Sequence, residues 1–326
     1  MTRSEASHGP ELSPGSSEGI LNLLKPPGLT SHDTVDILRR IFGIRRIGHA
    51  GTLDPCASGV LPVCIGRATR IMPYLLDSDK EYRAEMTLGI ETDTYDSEGA
   101  TTRVEVDFEV SRSRVDEVLA RYLGPISQVP PMTSAVRVGG RRLYDLAREG
   151  KTVERPPRRV EIYDLQVVTV WPHESETCGF GARILFNVVC SKGTYIRSLC
   201  SSIGADLGCG AHMSFLVRTR AGPFKLFDSV SFDELQKAGS EGRMGEYLLS
   251  LDAGLSHLPA VTVDEDDSRK VVHGGWVGRP SVVSAPSGLA EGDLVRIQSE
   301  SRKLLCVARA ATEAEGFRFK PLRVLV

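Results

Sequence analysis

A single carboxylate stands in a loop of small residues. Residues 48–59 read GHAGTLDPCASG, in which Asp54 is the only acidic side chain and is followed directly by a proline. A carboxylate can act as a nucleophile or as a general base, provided that its surroundings hold it at the reacting atom. An Asp-Pro pair also commonly forms an ordinary turn. The loop alone therefore leaves a catalytic and a structural interpretation open.

Three other features could complete a site around this carboxylate, and each also has an ordinary explanation. Tyr82 stands at the start of a predicted strand, where core packing is common. Arg197 stands near the start of a predicted helix, where a cation opposes the helix dipole and so indicates a specific anionic partner or a structural ion pair. Residues 137–159 carry eight cationic against three acidic side chains, which suits either phosphate binding or a solvated surface.

Motif spacing argues against nucleotide and metal sites. The Asp54 loop has neither the Gly-Lys-Ser/Thr run of a Walker loop nor the glycine spacing of a dinucleotide fingerprint. The cysteines are odd in number and scattered, with no CxxC pair and no zinc-type spacing to histidine. We therefore expect reduced thiols, no disulfide and no metal. The seven cysteines are Cys56, Cys64, Cys178, Cys190, Cys200, Cys209 and Cys306.

Hydrophobic periodicity predicts the elements that must position these residues. Apolar side chains alternate through residues 81–89 and again through 182–190, which predicts two half-buried strands. Apolar residues at helical spacing predict a helix that Ser31 caps, a second over residues 112–123, and a third that Thr194 caps. The third helix carries Arg197 in its first turn.

Length and composition indicate a globular chain with a large body and a small module. The chain has 326 residues, 41% hydrophobic and 25% charged, with a net charge of -2. Residues 1–18 are rich in Ser, Gly, Pro and Glu and lack an apolar signal segment, which predicts a disordered tail. With no apolar run near the roughly 20 residues of a membrane span, we expect a cytoplasmic protein without membrane contact. Short β-like runs over residues 255–326 predict a small all-β module.

The segment GHAGTLDPCASGVLPVCIGRATR closely resembles the signature of the bacterial tRNA pseudouridine synthase B family. Further matches follow in the family's order: LLKPPGLTS, DKEYRAEMTLGIETDTYDSEG, PPMTSAVRVGGRRLYDLAREG, CSKGTYIRSL and LGCGAHMSFLVRTRAGPF. The resemblance covers residues 19–252, and residues 255–326 are similar to the small PUA-type RNA-binding domain. It implies an α+β pseudouridine synthase fold with a mixed, largely antiparallel sheet flanked by helices, plus a C-terminal β domain.

The resemblance also implies an activity and roles for individual residues. Such enzymes isomerise uridine 55 in the tRNA T-loop to pseudouridine, without cofactor or metal. Asp54 matches their catalytic aspartate, a nucleophile or a base at the sugar, and Arg197 the arginine that keeps it ionised. Tyr82 matches the tyrosine that stacks on the uracil, and His49 a histidine that supports the flipped-out nucleotides.

The remaining matched residues imply contacts with the RNA. An insertion over about residues 125–159 would fold over the T-arm, with tRNA as the partner of a monomeric enzyme. For Asp96 a turn-forming role is equally open, and for His49 a loop histidine bonded to backbone. The residues with implied substrate contacts are Lys25, Asp96, Tyr195, Leu216, Arg218, Arg141 and Arg142.

Two other classes of protein stay open at this stage. A tRNA-binding or tRNA-folding protein without chemistry would use the same basic segment and C-terminal module. A nucleoside or glycoside hydrolase would also break a bond at C1′ with a carboxylate, but it generally needs a second acid or a metal. The chain shows no obvious pair of that kind.

Overall fold

A computed structural model describes residues 18–134, 136–173, 175–278, 282–313 and 316–326, with the side chain of Glu313 left out. Apart from Glu18, the predicted tail lies outside this range. The helices are α1 (Ser31–Phe42), α2 (Met72–Leu76), α3 (Arg112–Ala120), α4 (Leu143–Arg148), α5 (Ile196–Leu207), α6 (Phe232–Ser240), α7 (Leu251–Gly254) and α8 (Glu265–Val272). Three 3₁₀ turns span Gly66–Ile71, Leu226–Asp228 and Met244–Tyr247.

The strands are numbered in chain order. They are β1 (Gly19–Lys25), β2 (Ile47–His49), β3 (Ser58–Ile65), β4 (Lys80–Leu88), β5 (Ile90–Thr92), β6 (Thr101–Val104), β7 (Val110–Ser111), β8 (Gly124–Gln128), β9 (Arg137–Val138), β10 (Arg141–Arg142), β11 (Arg158–Trp171), β12 (Thr177–Cys178), β13 (Arg183–Cys190), β14 (Ala211–Ala221), β15 (Phe224–Lys225), β16 (Leu248–Leu249), β17 (Ala260–Val263), β18 (Val277–Gly278), β19 (Val282–Ser284), β20 (Leu294–Ser299), β21 (Leu304–Glu313) and β22 (Gly316–Val324).

A ten-stranded mixed sheet forms the body of the molecule. Its strand order is β16-β1-β3-β14-β4-β13-β11-β8, with β15 paired to β14 and β2 paired to β3. Strands β3 and β14 run parallel, and the other neighbours in this sheet run antiparallel. The predicted mixed, largely antiparallel sheet is confirmed.

The two strands predicted from alternation lie side by side in this sheet. Strands β4 and β13 pair in register from Lys80 opposite Cys190 to Thr87 opposite Arg183, and their alternate residues are buried. The buried face includes Met86 and Phe186 and packs against α3 and α5. Burying each such large side chain contributes about 1.5–3 kcal/mol to stability.

Two further apolar clusters cover the half of the sheet around β1 and β3. On one face, Leu23 and Leu61 pack against α1 and α6. On the other face, Val60 shares a cluster with Val307 and Leu325 from the C-terminal module. The module therefore packs directly on the sheet that carries the Asp54 loop.

The C-terminal module is built on a six-stranded sheet. Its order is β18-β22-β21-β20-β17-β19, and β17 and β20 are its parallel pair. The expectation of an all-β module was incomplete, because α8 follows β17. Asp264 caps α8 by accepting a hydrogen bond from the Asp267 backbone N–H, so the acidic run forms the first turn of a helix.

Both predicted helix caps were wrong by one residue. Thr30 caps α1 in place of Ser31. Its hydroxyl accepts from the Asp33 N–H, and the Asp33 carboxylate accepts from the Thr30 N–H. Tyr195 occupies the cap position of α5, while the Thr194 hydroxyl donates to the Ser191 carbonyl.

Candidate active site

The loop that carries Asp54 connects β2 to β3 at the parallel junction of the ten-stranded sheet. The Ser31 hydroxyl, at the start of α1, anchors it by donating to the Leu53 carbonyl and accepting from the Leu53 N–H. Gly59 closes the loop at φ +108°, and a Cβ there would lie 2.3 Å from the Arg218 carbonyl oxygen. A side chain at this position would therefore push β3 away from β14.

Arg197 clamps Asp54 through both carboxylate oxygens. Its Nη2 donates to Oδ1 at 3.0 Å, and its Nε lies 2.8 Å from Oδ2, as an ion pair outside hydrogen-bond geometry. The Arg197 side chain is 4% exposed and that of Asp54 is 30% exposed. The guanidinium is thus buried behind the carboxylate, which keeps one side open to solvent.

The rest of the Arg197 guanidinium is held by Asp96 and by two threonines that the sequence did not single out. Nη1 donates to the Thr133 hydroxyl at 2.5 Å and to the Thr94 carbonyl at 3.2 Å, and Nη2 donates to the Thr133 carbonyl. Nη1 also lies 3.2 Å from Oδ2 of buried Asp96. All three residues belong to quoted motifs, but no local pattern distinguishes the threonines from ordinary turn residues.

Burial and the two neighbouring charges set the ionisation of Asp54. Burial raises the pKa of Asp54 above its usual value, and the nearby Asp96 charge adds to that rise, while Arg197 opposes it. The neighbouring thiol is no competing nucleophile, since burial and the charges of Asp96 and Asp54 raise the pKa of Cys56 to about 12.

The first turn of α5 is held by a glutamine from another strand. Tyr195 has no side-chain cap of its own. Instead the Gln128 amide, at the end of β8, accepts from the Tyr195 N–H at 3.0 Å and donates to the Tyr195 carbonyl at 3.3 Å. This bridge fixes the helix start two residues before Arg197.

An apolar wall that includes a phenol adjoins the carboxylate. Tyr82 and Leu216 are both buried and belong to one cluster with Leu53 and Ala57, which lie on either side of Asp54 in the chain. Burial raises the pKa of Tyr82, so the phenol is protonated at neutral pH. A flat apolar group placed against this wall would have the carboxylate at its edge.

His49 lies at the end of β2, before the loop. Burial, together with the Arg218 charge, lowers the pKa of His49 and keeps the ring neutral at pH 7. Its Nδ1 is buried, and within the described part of the chain it has no hydrogen-bond partner. Sequence analysis left open that His49 is a loop histidine bonded only to backbone. That role would leave the buried Nδ1 without a partner, which is unusual for a buried polar atom.

Two predicted substrate contacts are buried beneath the loop. Lys25 is 0% exposed, and its ammonium donates to the carbonyls of Pro26, Pro55 and Ala57. Burial lowers the pKa of Lys25 to about 8. Arg218 is 1% exposed and likewise donates to loop carbonyls.

The two arginines of the basic segment that were predicted to contact the substrate lie on a separate, exposed hairpin. Arg141 and Arg142 form β10, and Arg141 pairs with Glu149. Arg142 and Arg148 both stack on the Tyr144 ring, at 5.6 and 5.5 Å from its centre. Among the described residues, none of these arginines bonds to Asp54, Asp96 or Arg197.

The resulting arrangement can present one ionised carboxylate to an electrophilic carbon beside the apolar wall of Tyr82 and Leu216. The part of the chain that the structure describes holds no group of three or more His, Cys, Asp or Glu side chains placed to bind a metal. None of its helices combines the length and apolarity needed to cross a bilayer. All seven cysteines are unpaired.

Comparison with known families gives two matches. Residues 39–196 match the model described as TruB family pseudouridylate synthase (N terminal domain), and residues 197–256 match that of the tRNA pseudouridylate synthase B C-terminal domain. The boundary between the two models falls inside α5 and so divides the ten-stranded sheet.

Similar curated proteins and solved structures extend over most of the chain. The tRNA pseudouridine synthase B of Pelotomaculum thermopropionicum is 47% identical over 313 residues, which cover 94% of this chain and 96% of the relative. That of Bacillus subtilis is 40% identical, covering 94% and 97%. A chain in a Cbf5-Nop10-Gar1 complex matches with a TM-score of 0.74 at 31% identity, covering 94% and 85%. A chain in an H/ACA RNP bound to a substrate RNA matches at 0.73 and 29%, with the same coverage.

Proposed function

The chain belongs to the TruB family and is a tRNA pseudouridine synthase, and from that premise we propose that it isomerises uridine 55 in the T-loop, with Asp54 as the catalytic carboxylate. The observation that carries this proposal is the Asp54–Arg197 pair, in which a buried guanidinium orients a carboxylate that keeps 30% of its surface open. Such a group can approach a nucleotide while its counterion stays behind it.

The reaction makes modest chemical demands, and these residues can meet them. The bond from C1′ to N1 breaks, the uracil turns, and a bond from C1′ to C5 forms. The proton on C5 leaves and N1 gains one, so the product is an isomer of the substrate. Asp54 would act at the sugar, either as nucleophile on C1′ or as a base.

The surrounding residues fit the handling of a single flipped-out base. Tyr82 and Leu216 would hold the uracil between a ring and an aliphatic side chain. Neutral His49, with its unpartnered buried nitrogen, would contact the nucleotides that the uridine leaves behind. Extruding a base from a folded loop costs a few kcal/mol in stacking, which such contacts offset.

Two basic surfaces would hold the rest of the tRNA. The first is the insertion at about residues 125–159, with exposed Arg141 and Arg142. We define the second, the C-terminal basic face, as Trp276, Arg309, Arg318 and Lys320. Arg309 and Lys320 stand directly opposite each other on β21 and β22, and neither pairs with a carboxylate of the described residues. Like charges so placed destabilise a sheet unless a polyanion neutralises them.

Asp54→Asn tests the catalytic assignment, because it removes the charge while keeping the shape. We expect tRNA binding within about threefold of native and a rate at least about 10³-fold lower, in the range that a lost acid-base group costs. Tritium release from tRNA labelled at C5 of uracil measures the rate, and mapping of pseudouridine by primer extension identifies the position.

Asp77→Asn is the matched control, since Asp77 pairs with Lys192 at the surface and both side chains are at least half exposed. Near-native turnover by Asp54→Asn would refute the role of Asp54. Pseudouridine at another position would refute the choice of uridine 55. Binding without product in the native protein would indicate a silent tRNA-binding protein, and free uracil would indicate a hydrolase.

A further inference from the structure

Arg218 joins both sides of the Asp54 loop through its guanidinium. Nε donates to the Val60 carbonyl at 2.7 Å, Nη2 to the Gly51 carbonyl at 3.1 Å, and Nη1 to the Thr52 carbonyl at 3.4 Å. Gly51 and Thr52 precede the catalytic carboxylate, and Val60 follows it. One planar group thus fixes where the loop leaves β2 and where it enters β3.

The charge of this guanidinium makes the arrangement costly. Arg218 is 1% exposed and, among the residues that the structure describes, has no ion pair with a carboxylate. An arginine stays charged even when buried, and removing an ion from water costs several kcal/mol. An uncharged side chain could fill the same space at a lower cost. The position therefore calls for an explanation beyond packing.

The same side chain also adjoins the phenol of Tyr82. Strands β14 and β4 pair so that Arg218 stands opposite Tyr82. The guanidinium lowers the pKa of that phenol, against the larger effect of burial. The Arg218 charge also acts on His49, whose pKa it helps to lower. Arg218 thus holds the Asp54 loop, stands opposite Tyr82 and acts on His49 through its charge.

We propose that Arg218 is a positioning residue, which sets the distance between the Asp54 carboxylate and the Tyr82 ring by holding the loop carbonyls of Gly51, Thr52 and Val60. This role differs from the substrate contact that the sequence predicts for Arg218. It rests on the proposed function, in which the uracil lies between the carboxylate and the ring. The distance between those two groups then affects the rate. A misplacement of about 1 Å at a reacting centre can cost about 10²-fold in rate.

Arg218→Lys is the main test, because an ammonium keeps the charge but cannot serve three carbonyls in one plane. We expect a folded protein with a tRNA dissociation constant within about threefold of native and a single-turnover rate about 10²-fold lower. Hydrogen exchange should rise for the amides of residues 48–60 and stay unchanged in β4 and β13. Arg218→Met, which also removes the charge, should lose more activity than Arg218→Lys.

Arg220→Met is the matched control. Arg220 lies two residues further along β14, is partly exposed, and pairs with Glu81. Its removal deletes a guanidinium from the same strand without touching the loop, so we expect a near-native rate and unchanged exchange in residues 48–60.

Three outcomes would overturn the proposal. A native single-turnover rate in Arg218→Lys would show that the loop needs no guanidinium. A weakened affinity with a native rate at saturation would restore the predicted substrate contact. Unfolding, or faster exchange throughout the ten-stranded sheet, would make Arg218 a general stabiliser of the fold. If Asp54→Asn is inactive while Arg218→Lys is fully active, only the positioning role fails; an active Asp54→Asn refutes the proposed function itself.

Discussion

Arg197 is shared between two carboxylates, and this sharing controls the charge at the centre of the site. Its Nη1 lies near Asp96 and its Nε and Nη2 near Asp54, all within 3.2 Å. Burial disfavours the charged form of Asp54, the nearby Asp96 charge disfavours it further, and the shared guanidinium does not fully offset the two effects. Asp54 therefore keeps a raised pKa even though it has an arginine partner.

The raised pKa of Asp54 predicts how activity depends on pH. The ionised form is needed for either proposed role, so the rate should fall as pH drops through this pKa, at a pH above the ordinary carboxyl value of about 4. Asp96→Asn removes a charge that raises the pKa of Asp54 and should move the acid limb to lower pH. Arg197→Gln removes the charge that lowers it and should move the limb to higher pH.

Single-turnover tritium release at saturating enzyme, followed over pH, measures both shifts. Arg220→Gln serves as a control, because that arginine lies on another part of β14 and pairs with Glu81 of β4. Shifts of the same sign in Asp96→Asn and Arg197→Gln would contradict the assignment of the acid limb to Asp54.

The sequence identified individual candidate site residues, but it did not identify the groups that several of them contact. The resemblance pointed to Asp54 and Arg197, which do make contact. For Lys25 and Arg218 it implied substrate contacts, which stay untested, while both side chains are fully buried. Lysine and arginine are seldom buried, so composition gives no warning of this. Arg218 and Gly51 are 167 residues apart, beyond the reach of any local pattern.

The elements divide into those fixed by local pattern and those completed by distant contacts. Strands β4 and β13 follow from alternation alone, and the structure confirms both. Helix α5 was also predicted, but its cap was placed one residue too early, at Thr194. The group that accepts from the Tyr195 N–H is the Gln128 amide on β8, 67 residues away. A helix start that depends on another strand cannot be read from its own sequence.

Gln128→Ala should show what this bridge contributes. It leaves the Tyr195 N–H without a partner, while the Tyr195 carbonyl keeps the bond from the Leu199 N–H. The lost partner should lower the free energy of unfolding by about 1–3 kcal/mol. The rate should also fall, by roughly tenfold, because the start of α5 carries Arg197 and a displaced guanidinium misorients Asp54. Gln128→Glu keeps the bond from the Tyr195 N–H and should lose less stability.

Denaturant unfolding and single-turnover kinetics would measure these two effects. Gln166→Ala is a suitable control: this glutamine is exposed on β11 and bonds locally to Asp164, so its removal should change stability by less than about 0.5 kcal/mol. A Gln128→Ala protein as stable and active as native would show that water or the backbone replaces the bridge.

On the scale of the whole molecule, the net charge of -2 conceals an uneven distribution of charge. Basic side chains gather on the β9–β10 hairpin and on the outer side of β21 and β22, while an acidic run forms the first turn of α8. The C-terminal sheet shares an apolar cluster with β3, so the two parts are held together by packing. Total charge could not have predicted a tRNA partner, whereas the placement of charge is compatible with one.

The C-terminal basic face predicts a specific change in salt dependence. Arg309→Ala combined with Lys320→Ala should remove up to two phosphate contacts, and so reduce the slope of log affinity against log salt by about one to two. Trp276→Ala should weaken binding with little change of slope, because a stacked base contributes about 1–3 kcal/mol without releasing counterions. The Trp276 ring lies 4.8 Å from the Arg318 guanidinium and 5.6 Å from the Lys320 ammonium, so a base stacked there would also lie beside cations.

Filter binding of full-length tRNA across a salt series measures both the affinity and its salt slope, with exposed Lys237 on α6 changed to alanine as the control. Because none of these residues contacts Asp54 or Arg197, the rate at saturating tRNA should stay native in every variant. An unchanged slope in the double variant would exclude this face from the tRNA contact.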